Sequence, residues 1–155
     1  MGLDMYLYKK SYVQNWDHMT PDEKHQITVK KNKKAVKPAR ITYITEQVGY
    51  WRKANAIHKW FVENVQGGRD ECQESYVSEE QLLELKSLCE QVLADTSLAH
   101  ELLPSASGFF FGSTEYGEYY FEDVKNTVKI IDEILKEKEP GQDYLPSDIL
   151  YHASW

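Results

Sequence analysis

The stretch VGYWRKANAIHKWFVENV, residues 48–65, decides how the chain is organised, because it reads either as one long helix or as something more broken. Tyr50, Ala54, Ile57, Phe61 and Val65 recur at helical spacing, and the pair Gly67-Gly68 follows as helix-terminating glycines do. That periodicity predicts a helix through Trp51–Val65, with those five residues as its apolar stripe. At 100° per residue, Trp51, Asn55, His58 and Val62 share the adjoining shoulder, with Arg52 and Lys59 beyond it. An ordinary surface helix has one apolar stripe and one charged face; this one mixes aromatics, cations and an amide.

Outward from that helix, GLDMYLYKKSYV at residues 2–13 alternates Leu3, Met5 and Leu7 against Asp4, Tyr6 and Tyr8, the period of a half-buried strand. A polar loop follows, with a turn at Thr20-Pro21-Asp22. Two β-branched runs, Ile27–Val29 and Ile41–Thr45, are joined by a lysine-rich link and predict a hairpin or long loop with strand ends. Residues 69–76 read as an acidic loop. Ser78 with Gln81 three residues on forms a capping box for a second helix, whose stripe is Leu82, Leu85, Leu88, Cys89, Val92 and Leu93. FFFG, residues 109–112, predicts a short buried strand. A third helix carries Tyr120, Val124, Ile131, Ile134 and Leu135 inward up to Glu139-Pro140, and the tail closes with a strand through Ile149–Tyr151. Strands first, helices later and a strand at the end predict an α+β fold: a small, mainly antiparallel sheet with about three packed helices, in one domain over residues 1–155.

Composition narrows the function classes. The formal charge is −7, but Lys24–Arg40 holds seven Lys or Arg and no acid, leaving 11 bases against all 25 acids elsewhere. A basic strip on an acidic body argues against broad nucleic-acid binding and fits a local anion site, an arm reaching a second copy, or a solvated hairpin tip. No apolar run is long enough to span a bilayer, the lysines of MGLDMYLYKK follow its apolar residues rather than preceding them, and Tyr6 stands where a myristoylation motif wants Ser or Thr. These features predict a cytoplasmic protein without membrane association. Cys72 and Cys89 have no zinc-ligand spacing, the five histidines lie far apart, and no metal or cofactor is expected.

Phosphate-binding P-loops, dinucleotide fingerprints, nucleophile elbows and HExxH motifs are all missing, which points to a non-enzymatic role. Two segments could hold a ligand. The shoulder of Trp51, Arg52, Asn55, His58 and Lys59 offers a stacking face, an amide, an imidazole and two cations, the groups that a phosphate- and base-bearing molecule needs. GFFFGSTEYGEYYF, residues 108–121, offers Ser113, Thr114, Glu115 and Tyr119 as the opposite wall of the same cleft. The same residues fit a structural reading, in which Trp51 and Trp60 anchor helix to sheet and His58 is a satisfied half-buried side chain. A catalytic version is a phosphodiesterase with His58 as general acid or base, Arg52 and Lys53 on the phosphate and Glu115 orienting the imidazole.

Three motifs in order, MGLDMYLY (1–8), VGYWRKANAIHKWFVENVQ (48–66) and GFFFGSTEYGEYYFEDVKNT (108–127), resemble a family of small proteins from bacteriophages and prophages. Ser11–Ile44 and Arg69–Tyr76 match nothing in that pattern. The resemblance implies a phage protein acting against host defence, of the anti-CBASS class that sequesters cyclic nucleotide immune signals as an oligomeric sponge. It implies a cyclic dinucleotide as ligand, a homo-oligomer as the assembly and the host cytoplasm as the location. The alternatives are an enzyme that cleaves a nucleotide and a protein–protein inhibitor of a host factor.

Overall fold

The computed structural model describes residues 2–155 and has the α+β architecture expected. Strand β1 spans Asp4–Tyr12, and its alternation puts Leu3, Met5 and Leu7 in the core. A small exposed hairpin, β2 (Lys30–Lys31) and β3 (Lys34–Ala35), carries the lysine-rich link, with Asn32 and Lys33 at positive φ in its turn. Ile27–Val29, expected as a strand, lies just before it and is not a strand, although Val29 O accepts from Val36 N–H at 2.8 Å at the base of the hairpin. A 3-10 turn at Pro38–Arg40 leads into β4, Tyr43–Arg52.

β4 corrects the reading of the opening stretch. The helix does not begin at Trp51; it begins at α1, Asn55–Asn64, and Tyr50, Trp51 and Arg52 belong to a strand. The physical reason is the period-2 pattern within the same letters. Gly49 and Trp51 face the core while Tyr50 and Arg52 face out, in register with Leu7, Met5, Tyr6 and Asp4 of β1. Val48 is an extra residue in β4, opposite the step from Leu7 to Tyr8. Lys53 then adopts a left-handed conformation (φ 57°), its N–H donates to Leu3 O at 2.7 Å, and the chain turns from strand to helix.

The remaining elements follow their local signals. α1 ends at Asn64, with Gly67 and Gly68 both at positive φ just beyond. β5 (Ser75–Val77) occupies the end of the expected acidic loop. In α2 (Glu79–Ala94) Ser78 and Gln81 make the capping box, and Leu82, Leu85, Cys89 and Val92 are buried. Burial pushes the Cys89 thiol up to about 12, so it behaves as a small hydrophobe. A 3-10 turn and the single-turn α3 (Ala99–Leu102) precede α4 (Glu118–Leu135). FFFG is a turn, not a buried strand: Phe109 is 97% exposed, and Phe111 N–H bonds back to Gly108 O. β6 (Asp148–Ser154) runs through the expected tail strand.

Three long strands and the short β5 form one antiparallel sheet in the order β4-β1-β6-β5. The sheet residues in the core cluster lie on one face, together with residues of α1, α2 and α4. α4 packs on α2, on α1 and behind β4. Gly49 makes that last contact possible: a Cβ there would sit 2.7 Å from Ile130 Cγ2 and 3.4 Å from Leu7 Cβ. Gly49→Ala is therefore expected to destabilise the fold by about 1–3 kcal/mol through overpacking, read as a lowered urea midpoint; an unchanged midpoint would show that α4 yields freely.

Candidate functional site

The strand-to-helix turn at residues 52–54 opens onto a cavity of about 610 Å³. Its near wall is Arg52, Lys53 and the first turn of α1, including Ala56 and Ile57; its far wall runs from Gly112 and Ser113 to Asp123 and Val124. The two segments singled out in sequence do face one another across one cleft. No side chain caps the N-terminus of α1, so the positive end of that helix is left available at the cavity wall.

Only part of the expected shoulder takes part. Arg52 is half-exposed and sits 3.3 Å from Asp4. Ser113 lines the cavity, and its Oγ accepts from Glu115 N–H. Tyr119 also lines it and is 87% exposed, so its ring is free to stack. Thr114 is not in the wall; its carbonyl accepts from Ser105 Oγ. Lys59 points elsewhere, 3.9 Å from Glu63 one helical turn on.

Trp51 and His58 lie outside the cavity wall, buried in the framework, whereas Asn55 lines the wall. Trp51 is 2% exposed, and its indole N–H donates to Thr127 Oγ1 at 2.9 Å. Asn55 lies against the cavity, but its side-chain amide is spent on the loop opposite. Nδ2 donates to Phe111 O (3.0 Å) and Ser113 O (2.8 Å), and Oδ1 accepts from Ala106 N–H (3.0 Å). His58 is 1% exposed with both ring nitrogens engaged, Nδ1 with the Tyr151 hydroxyl at 2.6 Å and Nε2 with Asp70 Oδ2 at 2.9 Å. Burial first, then the Asp70 charge, raises Tyr151 well above its ordinary range, so its hydroxyl keeps its proton beside Nδ1. Asp70 Oδ1 also accepts from the Trp155 indole. Glu115 lines the cavity rather than orienting His58, and the acid–base role written for His58 has no free nitrogen to act through.

Sequence reasoning missed Glu118 and Asp123, which the first turns of α4 bring into the wall. Burial pushes the Asp123 carboxyl up to about 6, the neighbouring Glu122 charge adds to that, and no hydrogen bond offsets it. A half-buried acid in an amphipathic helix leaves little trace in sequence; the nearest signal is that Asp123 falls one residue before the buried Val124 and three after Tyr120. Among the described residues, no group of three His, Cys, Asp or Glu side chains is placed to hold a metal. Among the same residues, no helix is long and apolar enough to cross a membrane. Comparison with family models, with curated proteins and with solved structures finds no match to this chain.

Two outcomes test this geometry. A carboxyl raised in the folded state binds its proton more readily there than in the unfolded chain. Its contribution therefore favours the fold below the unfolded value of 3.8 and is lost as pH rises to about 6. Asp123→Asn should raise the Tm relative to the parent protein at pH 7.5, and that gain should vanish near pH 4; an equal gain at both pH values would contradict the burial of this charge. Tyr151→Phe removes the hydrogen-bond partner of the buried His58 Nδ1 and should cost about 1–3 kcal/mol in chemical denaturation; a neutral result would mean that water reaches the ring.

Proposed function

We infer that the cavity between residues 52–57 and 112–124 binds a small phosphate-bearing ligand with a base, held without turnover. The observation that carries this reading is the convergence of three features in one cavity: the uncapped start of α1, the cations Arg52 and Lys53, and the unbonded carboxylate of Asp123. The helix terminus and the cations suit a phosphate group. Tyr119 suits stacking on a base, and Asp123 with Glu118 suits accepting hydrogen bonds from a ring or exocyclic N–H. A volume of about 610 Å³ accommodates a nucleotide. On the resemblance to phage proteins, we propose a cyclic nucleotide immune signal as the ligand, a non-enzymatic sponge in the host cytoplasm as the protein and a homo-oligomer as the assembly.

A second reading is favoured by one observation. Asp123, pushed up to about 6, is a group of general acid–base character in the cavity, so a phosphoester-cleaving enzyme would use Asp123 where the sequence reading used His58. Nothing in the geometry favours the third reading, a protein–protein inhibitor.

Calorimetry with a panel of cyclic dinucleotides tests the proposal, followed by heat release and chromatography of the ligand. Sequestration predicts saturable binding, an intact ligand on recovery, and a loss of about 1–3 kcal/mol in Arg52→Ala. A cleaved ligand moves the assignment to the enzyme, and silence across the panel removes the nucleotide reading altogether.

A further inference from the structure

The face of the main sheet opposite the helices is where most of the tyrosines stand. Six of the chain's 11 tyrosines, Tyr6, Tyr8, Tyr12, Tyr43, Tyr50 and Tyr76, occupy its outward strand positions. None belongs to the core cluster. Tyr12, Tyr43, Tyr50 and Tyr76 are exposed, Tyr76 at 67%. The rings are mutually arranged rather than scattered. Tyr6 stacks on Tyr8, with centroids 5.6 Å apart and planes within 8°, and meets Tyr50 at 5.4 Å and His152 at 6.3 Å. Leu150 lies beneath this row as a floor: it is buried, yet outside the core cluster. At the other end Tyr12 and Tyr43 meet edge to face, the Lys10 ammonium sits 4.5 Å over the Tyr43 ring, and the half-exposed Trp16 donates its indole N–H to the Tyr12 hydroxyl.

The basic segment is tied to that same end. Val13 N–H to Thr42 O continues the β1–β4 ladder past Tyr12 and Tyr43. Asn15 then exchanges two hydrogen bonds with His25, and Gln14 Nε2 reaches Ala39 O, so both ends of the lysine-rich stretch are pinned beside the tyrosine row. Only two acids, Asp4 and Asp148, stand at outward strand positions, and Asp4 is engaged by Tyr50 and Arg52. Glu74, just before β5, is the other acid near Tyr8. Asp17, Asp22 and Glu23 lie in the loop between Trp16 and His25 at the Tyr12 end, while the strands under the tyrosine row carry little of the excess negative charge.

We propose that this tyrosine face is a platform for single-stranded nucleic acid, its bases stacked on the rings around Tyr6, Tyr8 and Tyr50 and its phosphates led along Lys10 to the basic hairpin. An antiparallel sheet with aromatic side chains on an open face stacks two or three unpaired bases in this way, and stacking accepts any base. A duplex keeps its bases stacked on one another and has no use for the rings. The platform is separate from the cavity beside α1 and does not depend on what that cavity holds.

Anisotropy of a labelled single-stranded 12-mer, titrated with the whole protein at low salt, tests the proposal. Saturable binding is expected, with a duplex of the same length bound at least tenfold more weakly. Tyr50→Ala with Tyr43→Ala should reduce affinity by roughly tenfold or more, while the matching Phe variants retain it, because stacking needs the ring and not the hydroxyl. Lys31, Lys33 and Lys34 stand on an exposed hairpin, so replacing all three with Ala leaves the sheet intact and should flatten the slope of log affinity against log salt by about 2. Absence of binding to the single strand, equal binding to the duplex, or loss in the Phe variants equal to that in the Ala variants would each overturn it. So would a concentration-dependent dimer in sedimentation that Tyr50→Ala with Tyr43→Ala dissolves, since the face would then be a contact between copies.

Discussion

The reversal at Arg52–Ala54 is the constraint on which the rest of this fold depends. β4 must deliver Trp51 inward to meet Met5, and two residues later the chain must already be entering α1 across the back of the sheet. Lys53 absorbs the turn by taking a left-handed conformation that a lysine ordinarily avoids, at some cost in backbone energy. The bond from its N–H to Leu3 O holds it there, and the hydrogen bonds of Asn55 to Ala106, Phe111 and Ser113 carry the constraint to the opposite loop. The cavity exists because these two walls are held apart by one turn and joined by one amide.

The same turn explains why an attractive sequence reading went astray. Tyr50 and Ala54 stand four apart, as helix neighbours do, while Gly49 and Trp51 stand two apart, as strand neighbours do, and the letters satisfy both patterns at once. A glycine at position 53 would have marked the boundary; a lysine gives no such sign. Once Trp51 and Arg52 are returned to a strand, the shoulder drawn at 100° per residue dissolves. Arg52 and Trp51 point to opposite faces of the sheet, and His58 turns inward to Tyr151 and Asp70. FFFG misled for a related reason, since glycines at both ends bound a turn as readily as a strand.

Where local chemistry is unambiguous, the sequence was legible. The alternation of Leu3, Met5 and Leu7, the Ser78–Gln81 box, the Leu82–Val92 stripe and Gly67-Gly68 all correspond to structure because each has one dominant physical cause. The facing of residues 52–57 and 112–124 was also legible, though through different side chains from those first suspected. Asp123 and the open tyrosine face were not, because both arise from which surfaces other elements leave uncovered, a property of the assembled layers rather than of any segment.

The position of β6 governs the order in which the molecule can be assembled. This strand follows every helix in the chain, yet it lies inside the sheet, between β1 and β5. β5 has no other strand to pair with, and the partner of His58 rides on β6. Until β6 has been made, β1 therefore has one unpaired edge and β5 has no partner strand. Pairs such as Asp4 with Ser154 join residues far apart in sequence, and contacts of such long separation close slowly. Folding is thus held open until the last strand arrives.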